Sequence, residues 1–123
     1  MEVLTSKPGS KKVLVIDDSA MIRGVLSDHL KKRGHTVVVA DTMAEGLSRA
    51  QMHKPDLIFL DLVLPDGHGA DLLPQLLALV PTPKVVVISG HVLPGVAAKC
   101  QALGADRVLT KPFAIKDIDA ALL

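Results

Sequence analysis

Three carboxylates, one hydroxyl and one ammonium each follow a short apolar run in this chain of 123 residues. Asp17 and Asp18 follow Val13–Ile16, and Asp61 follows Leu57–Leu60. Ser89 follows Val85–Ile88, and Lys111 follows Val108–Thr110. A parallel α/β sheet builds its crevice at the carboxyl ends of its strands, so these five side chains are expected to converge. Adjacent carboxylates such as Asp17 and Asp18 repel each other unless a cation or base holds them. Hard oxygen ligands of this kind suit Mg²⁺. The carboxylate of Asp61 could attack phosphorus to give a mixed anhydride, or serve as a metal ligand or turn former only. Lys111 could neutralise phosphate oxygens, and Ser89 could donate one hydrogen bond to them. Gly90 would let backbone approach a ligand closely. Plainer roles are a helix cap for one of the paired aspartates and a structural ion pair for Lys111. The chemistry indicated is phosphoryl transfer assisted by a divalent cation.

The elements that must position these residues alternate along the chain. Strands are expected at about 12–16, 36–40, 56–60, 84–88 and 107–110. They are continuous β-branched and leucine runs, as when both faces of a parallel sheet are covered. Ser19 caps the first helix, Ile22, Val25, Leu26 and Leu30 form its buried face, and Gly34 ends it. Thr42 with Glu45 makes a capping box for the second. The third buries Leu72, Leu73, Leu76 and Leu77, and tolerates Pro74 if it starts near Gly69 or Ala70. Pro94 suits the first turn of the fourth, with Val96, Cys100 and Leu103 inward and Gly104 closing it. The fifth places Ile115, Ile118 and Leu122 on one face. Five βα units with short loops imply right-handed crossovers and a doubly wound five-stranded parallel sheet with helices on both faces. Residues 1–11 lack an apolar period and read as a flexible leader, leaving 12–123 as the domain.

Composition narrows the function classes. With 49% hydrophobic and 22% charged residues the chain has an ordinary globular make-up. A net charge of +1 gives no support for a nucleic-acid or membrane surface. The basic runs Lys11-Lys12 and Lys31-Lys32-Arg33 read as solvated faces. No apolar stretch reaches the ~18 residues of a bilayer span, and no signal peptide is visible. Cys100 is the single cysteine, which suits a reducing cytoplasm, and its apolar neighbours suggest a buried structural thiol.

The motifs at the strand ends resemble the receiver domain of two-component response regulators. The resemblance covers about residues 12–123 and rests on Val13-Leu-Val-Ile-Asp17-Asp18-Ser19, Asp61-Leu-Val-Leu-Pro-Asp-Gly67, Ile88-Ser89-Gly90 and Gly104-Ala-Asp-Arg-Val-Leu-Thr-Lys111-Pro112-Phe113. It implies the flavodoxin-like strand order 2-1-3-4-5. It also implies that Asp61 accepts a phosphoryl group from phosphohistidine on a sensor kinase or histidine phosphotransfer domain. Asp17, Asp18, Asp61 and the backbone carbonyl of Val63 would bind Mg²⁺. Lys111 would contact the phosphoryl group, Ser89 would move toward it, and the face made by the fourth helix, fifth strand and fifth helix would change shape. A cis peptide between Lys111 and Pro112 is implied as well. Such a domain takes part in its own phosphorylation and dephosphorylation without turning over external substrates. Its setting would be cytoplasmic, and its output would act through a partner or a further C-terminal segment.

Departures from the family pattern shape the expectation. Many relatives carry Tyr or Phe at the position of Val108, and this chain has neither Tyr nor Trp. Phosphorylation is therefore expected to produce a smaller or differently routed change at the switching face. Val63 and His91 lie two residues after Asp61 and Ser89, at positions that flank the phosphoryl pocket in relatives. His91 reads either as an influence on the hydrolytic water or as an exposed loop histidine. His29, His35, His53 and His68 are too scattered for a metal site and read as solvated or partly packed. A haloacid-dehalogenase-like phosphohydrolase needs Asp-x-Asp after its first strand, and the chain has Asp17-Asp18-Ser19 instead. A flavin carrier needs a phosphate loop where Asp17 and Asp18 would repel it. The remaining alternative is a receiver-like interaction module regulated without phosphorylation.

Overall fold

The computed structural model describes residues 9–90 and 94–123. Most of the expected leader, and His91, lie outside the described residues. Five strands and five helices alternate: β1 (Lys12–Ile16), α1 (Ala20–Lys32), β2 (Thr36–Ala40), α2 (Met43–His53), β3 (Leu57–Asp61), α3 (Leu73–Leu77), β4 (Lys84–Ser89), α4 (Val96–Ala102), β5 (Arg107–Thr110) and α5 (Ile115–Ala121). Between β3 and α3, Val63–Leu64 pairs with Gly67–His68 in a small hairpin, followed by a 3₁₀ turn over Gly69–Asp71. The five strands form one parallel sheet in the order β2-β1-β3-β4-β5.

Alternation within the strands splits the core into two layers, because successive strand side chains point to opposite faces. Leu14, Ile16, Ile58, Leu60, Val85 and Val87 pack toward α2, α3 and α4 with Ala50, Leu73, Leu76 and Cys100. Val13, Val15, Leu57, Phe59, Val86 and Ile88 pack toward α1 and α5 with Leu26, Leu30, Ile118 and Ala121. All twelve of these strand residues are buried, which accounts for the continuous apolar runs of the sequence. Cys100 is buried as a packing residue, and burial pushes its thiol pKa up, away from the reactive thiolate.

Several helix ends are as expected. The Ser19 hydroxyl accepts from Ile22 N at 3.2 Å, and Gly34, with φ +91°, follows the end of α1. The third helix, expected to start near Gly69 or Ala70, begins only at Leu73 after a 3₁₀ turn over Gly69–Asp71; Pro74 still falls in its first turn, where its missing N–H costs no intrahelical bond.

Other expectations need correction. Val25 is 46% exposed, because it lies well off the line through Ile22, Leu26 and Leu30 that faces the sheet. Leu103 and Ile115 are also exposed, each at a helix terminus with neighbours on one side only. Helix α4 starts after Gly95, whose φ of +86° ends the preceding turn, so Pro94 precedes the helix. Thr42 accepts from Glu45 N, but the Glu45 carboxylate turns back to Asp41 N at 3.3 Å, one residue short of a reciprocal capping box. Strands β3 and β4 each end one residue later than expected, and β3 also begins one residue later. Asp61 pairs in register with Ile88, and Ser89 with Thr110, so both are the last residues of their strands.

Candidate functional site

The five residues singled out from the sequence meet at the carboxyl edge of the sheet. Asp17 and Asp18 lie just past β1, Asp61 ends β3, Ser89 ends β4 and Lys111 lies just past β5. Asp17, Asp61 and Ser89 are buried, Lys111 is half-buried and Asp18 is exposed. Ligand oxygens of Asp17, Asp18 and Asp61 lie within 4.8 Å of one another. Three carboxylates this close repel strongly without a cation between them.

Lys111 supplies part of that neutralisation. Its Nζ lies 2.8 Å from Asp17 Oδ2 in ion-pair contact and donates to Asp61 Oδ2 at 3.1 Å. Burial alone would lower the Lys111 pKa, but the two carboxylates outweigh it and hold the ammonium above its ordinary value. Its backbone is pinned too, as Lys111 N donates to Ser89 O at 2.8 Å. The Lys111–Pro112 peptide is cis, as the resemblance implied.

Asp61 is held from the other side. Val63 N donates to its Oδ1 at 3.1 Å. Burial raises the Asp61 pKa, and the nearby Asp17 charge adds to the rise; the Val63 amide and Lys111 moderate it. Asp17 is anchored at three points besides Lys111: its N donates to Ala40 O, its Oδ1 accepts from Ser19 N, and its carbonyl accepts from Arg23 Nη1. Among the described residues the buried Ser89 Oγ lacks a hydrogen-bond partner, and Asp17 Oδ2 has only its ion pair with Lys111. A buried polar atom without a hydrogen bond is costly, so the Ser89 hydroxyl marks this edge as suited to a polar ligand. A divalent cation fits the oxygen set, and a phosphoryl oxygen fits an unpartnered hydroxyl.

Three supporting residues were not visible in sequence. Arg23 is six positions from the carbonyl it binds, and nothing in its spacing signals that contact. Asp66 spans the amides of Met43 and Ala44 at 2.8 and 3.0 Å and so caps α2 from the hairpin. Those amides hold its pKa below the usual carboxylate range. Gly69 leaves room for the backbone of the site strand, since a Cβ there would fall 1.9 Å from the Asp61 carbonyl oxygen. Two of the scattered histidines have partners away from the site: His29 pairs with Asp119 at 2.7 Å, and His35 Nδ1 accepts from Lys11 N; His68 pairs with Val63 in the hairpin beside it.

Comparison with known proteins decides the family. The response regulator receiver domain family matches residues 13–123. The chain belongs to the response regulator receiver domain family. It is 42% identical over 112 residues to the transcriptional regulatory protein KdpE of Mycobacterium tuberculosis, covering 89% of this chain and 48% of that protein. It is 29% identical to the chemotaxis protein CheY of Thermotoga maritima, over 84% of this chain and 87% of that one. Among solved structures, a Burkholderia pseudomallei response regulator with a phosphorylated aspartic acid, calcium ion and citrate is similar with a TM-score of 0.86 and 34% identity. That match covers 93% of this chain and 67% of the Burkholderia chain. The receiver chain spans about half the length of KdpE. The sheet order β2-β1-β3-β4-β5 is the flavodoxin-like order expected of a receiver. Among the described residues no helix is long and apolar enough to cross a membrane.

Proposed function

We propose that this receiver domain, residues 12–123, is a phosphoacceptor of a two-component phosphorelay, with Asp61 as the residue that carries the phosphoryl group. The observation that carries this reading is the contact of Lys111 Nζ with both Asp17 Oδ2 and Asp61 Oδ2, together with a buried Ser89 hydroxyl that has no partner among the described residues. A carboxylate nucleophile, a movable cation and a free donor thus share one edge. The phosphorylated aspartic acid and calcium ion of the Burkholderia relative support the same assignment.

In the transfer, an Asp61 carboxylate oxygen forms a bond to phosphorus as the phosphorus–nitrogen bond of a kinase or phosphotransfer phosphohistidine breaks. The departing imidazole keeps the bonding electron pair and takes up a proton. Asp61 must be ionised to attack, so its raised pKa makes the reaction slow at acid pH. Lys111, released from Asp61 Oδ2, is placed to pair with a phosphoryl oxygen. Ser89 Oγ donates to another, which gives that hydroxyl a partner it lacks among the described residues. Asp17, Asp18, Asp61 and the backbone carbonyl of Val63 would hold Mg²⁺. Bound Mg²⁺ supplies neutralisation and alignment of the phosphoryl oxygens. The same groups serve loss of phosphate to water, and no external substrate is turned over.

Movement of Ser89 toward the phosphoryl group would bias the arrangement of α4, β5 and α5. Val108, half-buried on β5 opposite Val87, stands where an aromatic side chain couples that movement in many relatives. The switching change is therefore expected to be smaller or differently routed. Amide shifts spread fully across residues 92–123 on adding a phosphoryl mimic would count against it. Val108 also favours the second reading, an interaction module regulated without phosphate. The proposed setting is cytoplasmic, with a sensor kinase or phosphotransfer domain upstream and a partner or C-terminal output segment downstream.

Intact mass after incubation with acetyl phosphate and Mg²⁺ tests the reading. A phosphate-sized adduct is expected, absent from Asp61→Ala and from a magnesium-free sample. A folded, Mg²⁺-binding protein that forms no adduct would favour the phosphate-independent module.

A further inference from the structure

We propose that Arg23 is a positioning residue for the Asp17–Asp18 pair, holding the peptide between them so that the exposed Asp18 carboxylate faces the cation site. The inference rests on the phosphoacceptor reading above. Arg23 lies in the first turn of α1, where its own amide donates to Ser19 O at 3.0 Å. Its half-buried side chain turns back to donate from Nη1 to Asp17 O at 2.8 Å. That carbonyl belongs to the peptide joining Asp17 to Asp18, so the guanidinium sets the peptide plane from which Asp18 departs.

Other contacts secure Asp17 but not its neighbour. The Asp17 amide donates to Ala40 O at 3.0 Å, its Oδ1 accepts from Ser19 N at 2.8 Å, and its Oδ2 meets Lys111 at 2.8 Å. Asp18 is exposed, and among the acidic groups of the cluster it is the one left in solvent. A solvated carboxylate samples many rotamers, and fixing its backbone removes part of that freedom before a ligand arrives. Arg23 could instead act only through its charge, and the two roles predict opposite signs. A bare positive charge beside the cluster repels a divalent cation, so its loss would tighten binding. Loss of a positioning contact would weaken binding.

The test is a Mn²⁺ titration followed by nuclear relaxation, with wild type, Arg23→Met and Arg23→Lys compared. Methionine keeps the apolar stem and removes both charge and donor. The half-saturating Mn²⁺ concentration is expected to rise roughly tenfold in Arg23→Met, the lower end for losing an outer contact to a metal site. Arg23→Lys, which can still donate one hydrogen bond, should recover part of the loss. An unchanged or lower half-saturating concentration in Arg23→Met would overturn the proposal. Amide hydrogen exchange of the metal-free proteins gives a second readout. Exchange at Ser19, whose amide holds Asp17 Oδ1, should quicken in Arg23→Met while Leu14 and Val15 in β1 stay protected. If wild type binds no Mn²⁺, the cation-site reading fails, and exchange at Ser19 still decides whether Arg23 holds the loop. No change there would sink the positioning role.

Discussion

The two ends of the sheet treat polar groups in opposite ways. At the amino end, Asp56 binds two strands at once: its Oδ2 accepts from Lys12 N at 2.8 Å, and its carbonyl accepts from Lys84 N at 3.0 Å. Lys84 Nζ donates to Ala121 O at 2.9 Å, and Arg107 pairs with Asp106 at 3.1 Å. Most of these side chains are exposed or half-buried, and each has a partner. At the carboxyl end, Asp17, Asp61 and Ser89 are 0%, 3% and 0% exposed, and the Ser89 hydroxyl has no hydrogen-bond partner among the described residues. The amino end is arranged for stability. The carboxyl end keeps repulsion and an unmet hydrogen bond that a cation and a phosphoryl group would relieve, and the two-layered core sustains the cost.

Substitution at Asp61 should separate the two ends most sharply. Asp61→Asn is expected to abolish the phosphate adduct and, in magnesium-free buffer at neutral pH, to raise the thermal midpoint by a few degrees. The sign follows from the raised pKa. Native Asp61 holds its proton more tightly than the unfolded chain, so its contribution to stability is lost as pH rises from the ordinary value of 3.8 through the folded value. Asparagine removes that loss. A variant less stable than wild type at neutral pH, measured by calorimetry, would contradict the contrast between the ends.

Asp56→Ala should do the reverse. Removing the acceptor of Lys12 N is expected to cost about 1 kcal/mol in urea denaturation, with adduct formation unchanged. A fall in phosphorylation would mean that the amino end also serves the chemistry. Smaller still is the resting effect of Ser89→Ala. Deleting a hydroxyl that has no partner among the described residues should shift stability by less than about 0.5 kcal/mol. The phosphorylation-dependent amide shifts should shrink markedly in the same variant. A large loss of resting stability would show that Ser89 Oγ has a partner in the unphosphorylated protein.

The smallest effect is a pH slope at the amino end. Burial, with Lys11 and Arg33 adding to it, holds His35 below its ordinary pKa of 6.5, and Lys11 N donates to its unprotonated Nδ1. The native state therefore binds fewer protons than the unfolded chain. Stability should fall as pH drops from about the ordinary value through the lowered one, and His35→Gln should flatten that slope in pH-dependent urea melts. An unchanged slope would remove His35 from the contrast.

The three central strands, β1, β3 and β4, were legible because they are buried on both faces, and burial on both faces writes itself as unbroken runs such as Val85–Ile88. The principal site residues were legible for a related reason. A charged or hydroxyl residue directly after such a run has one place to go, the carboxyl edge. Helix positions were less legible at their margins: Val25, Leu103 and Ile115 fit the apolar period yet face solvent, because period alone does not say how wide a stripe the sheet can cover.

By itself the sequence determined the alternation of strands and helices, the doubly wound sheet and the meeting of Asp17, Asp18, Asp61, Ser89 and Lys111. All of these follow from local pattern and the geometry of parallel strands. Tertiary structure decided what supports them. Arg23 on the Asp17 carbonyl, Asp66 on the α2 amides and Gly69 against the Asp61 carbonyl are contacts between segments whose closeness depends on how loops and helices pack. No residue type or spacing encodes such a contact, because its partner is a backbone group that every residue carries.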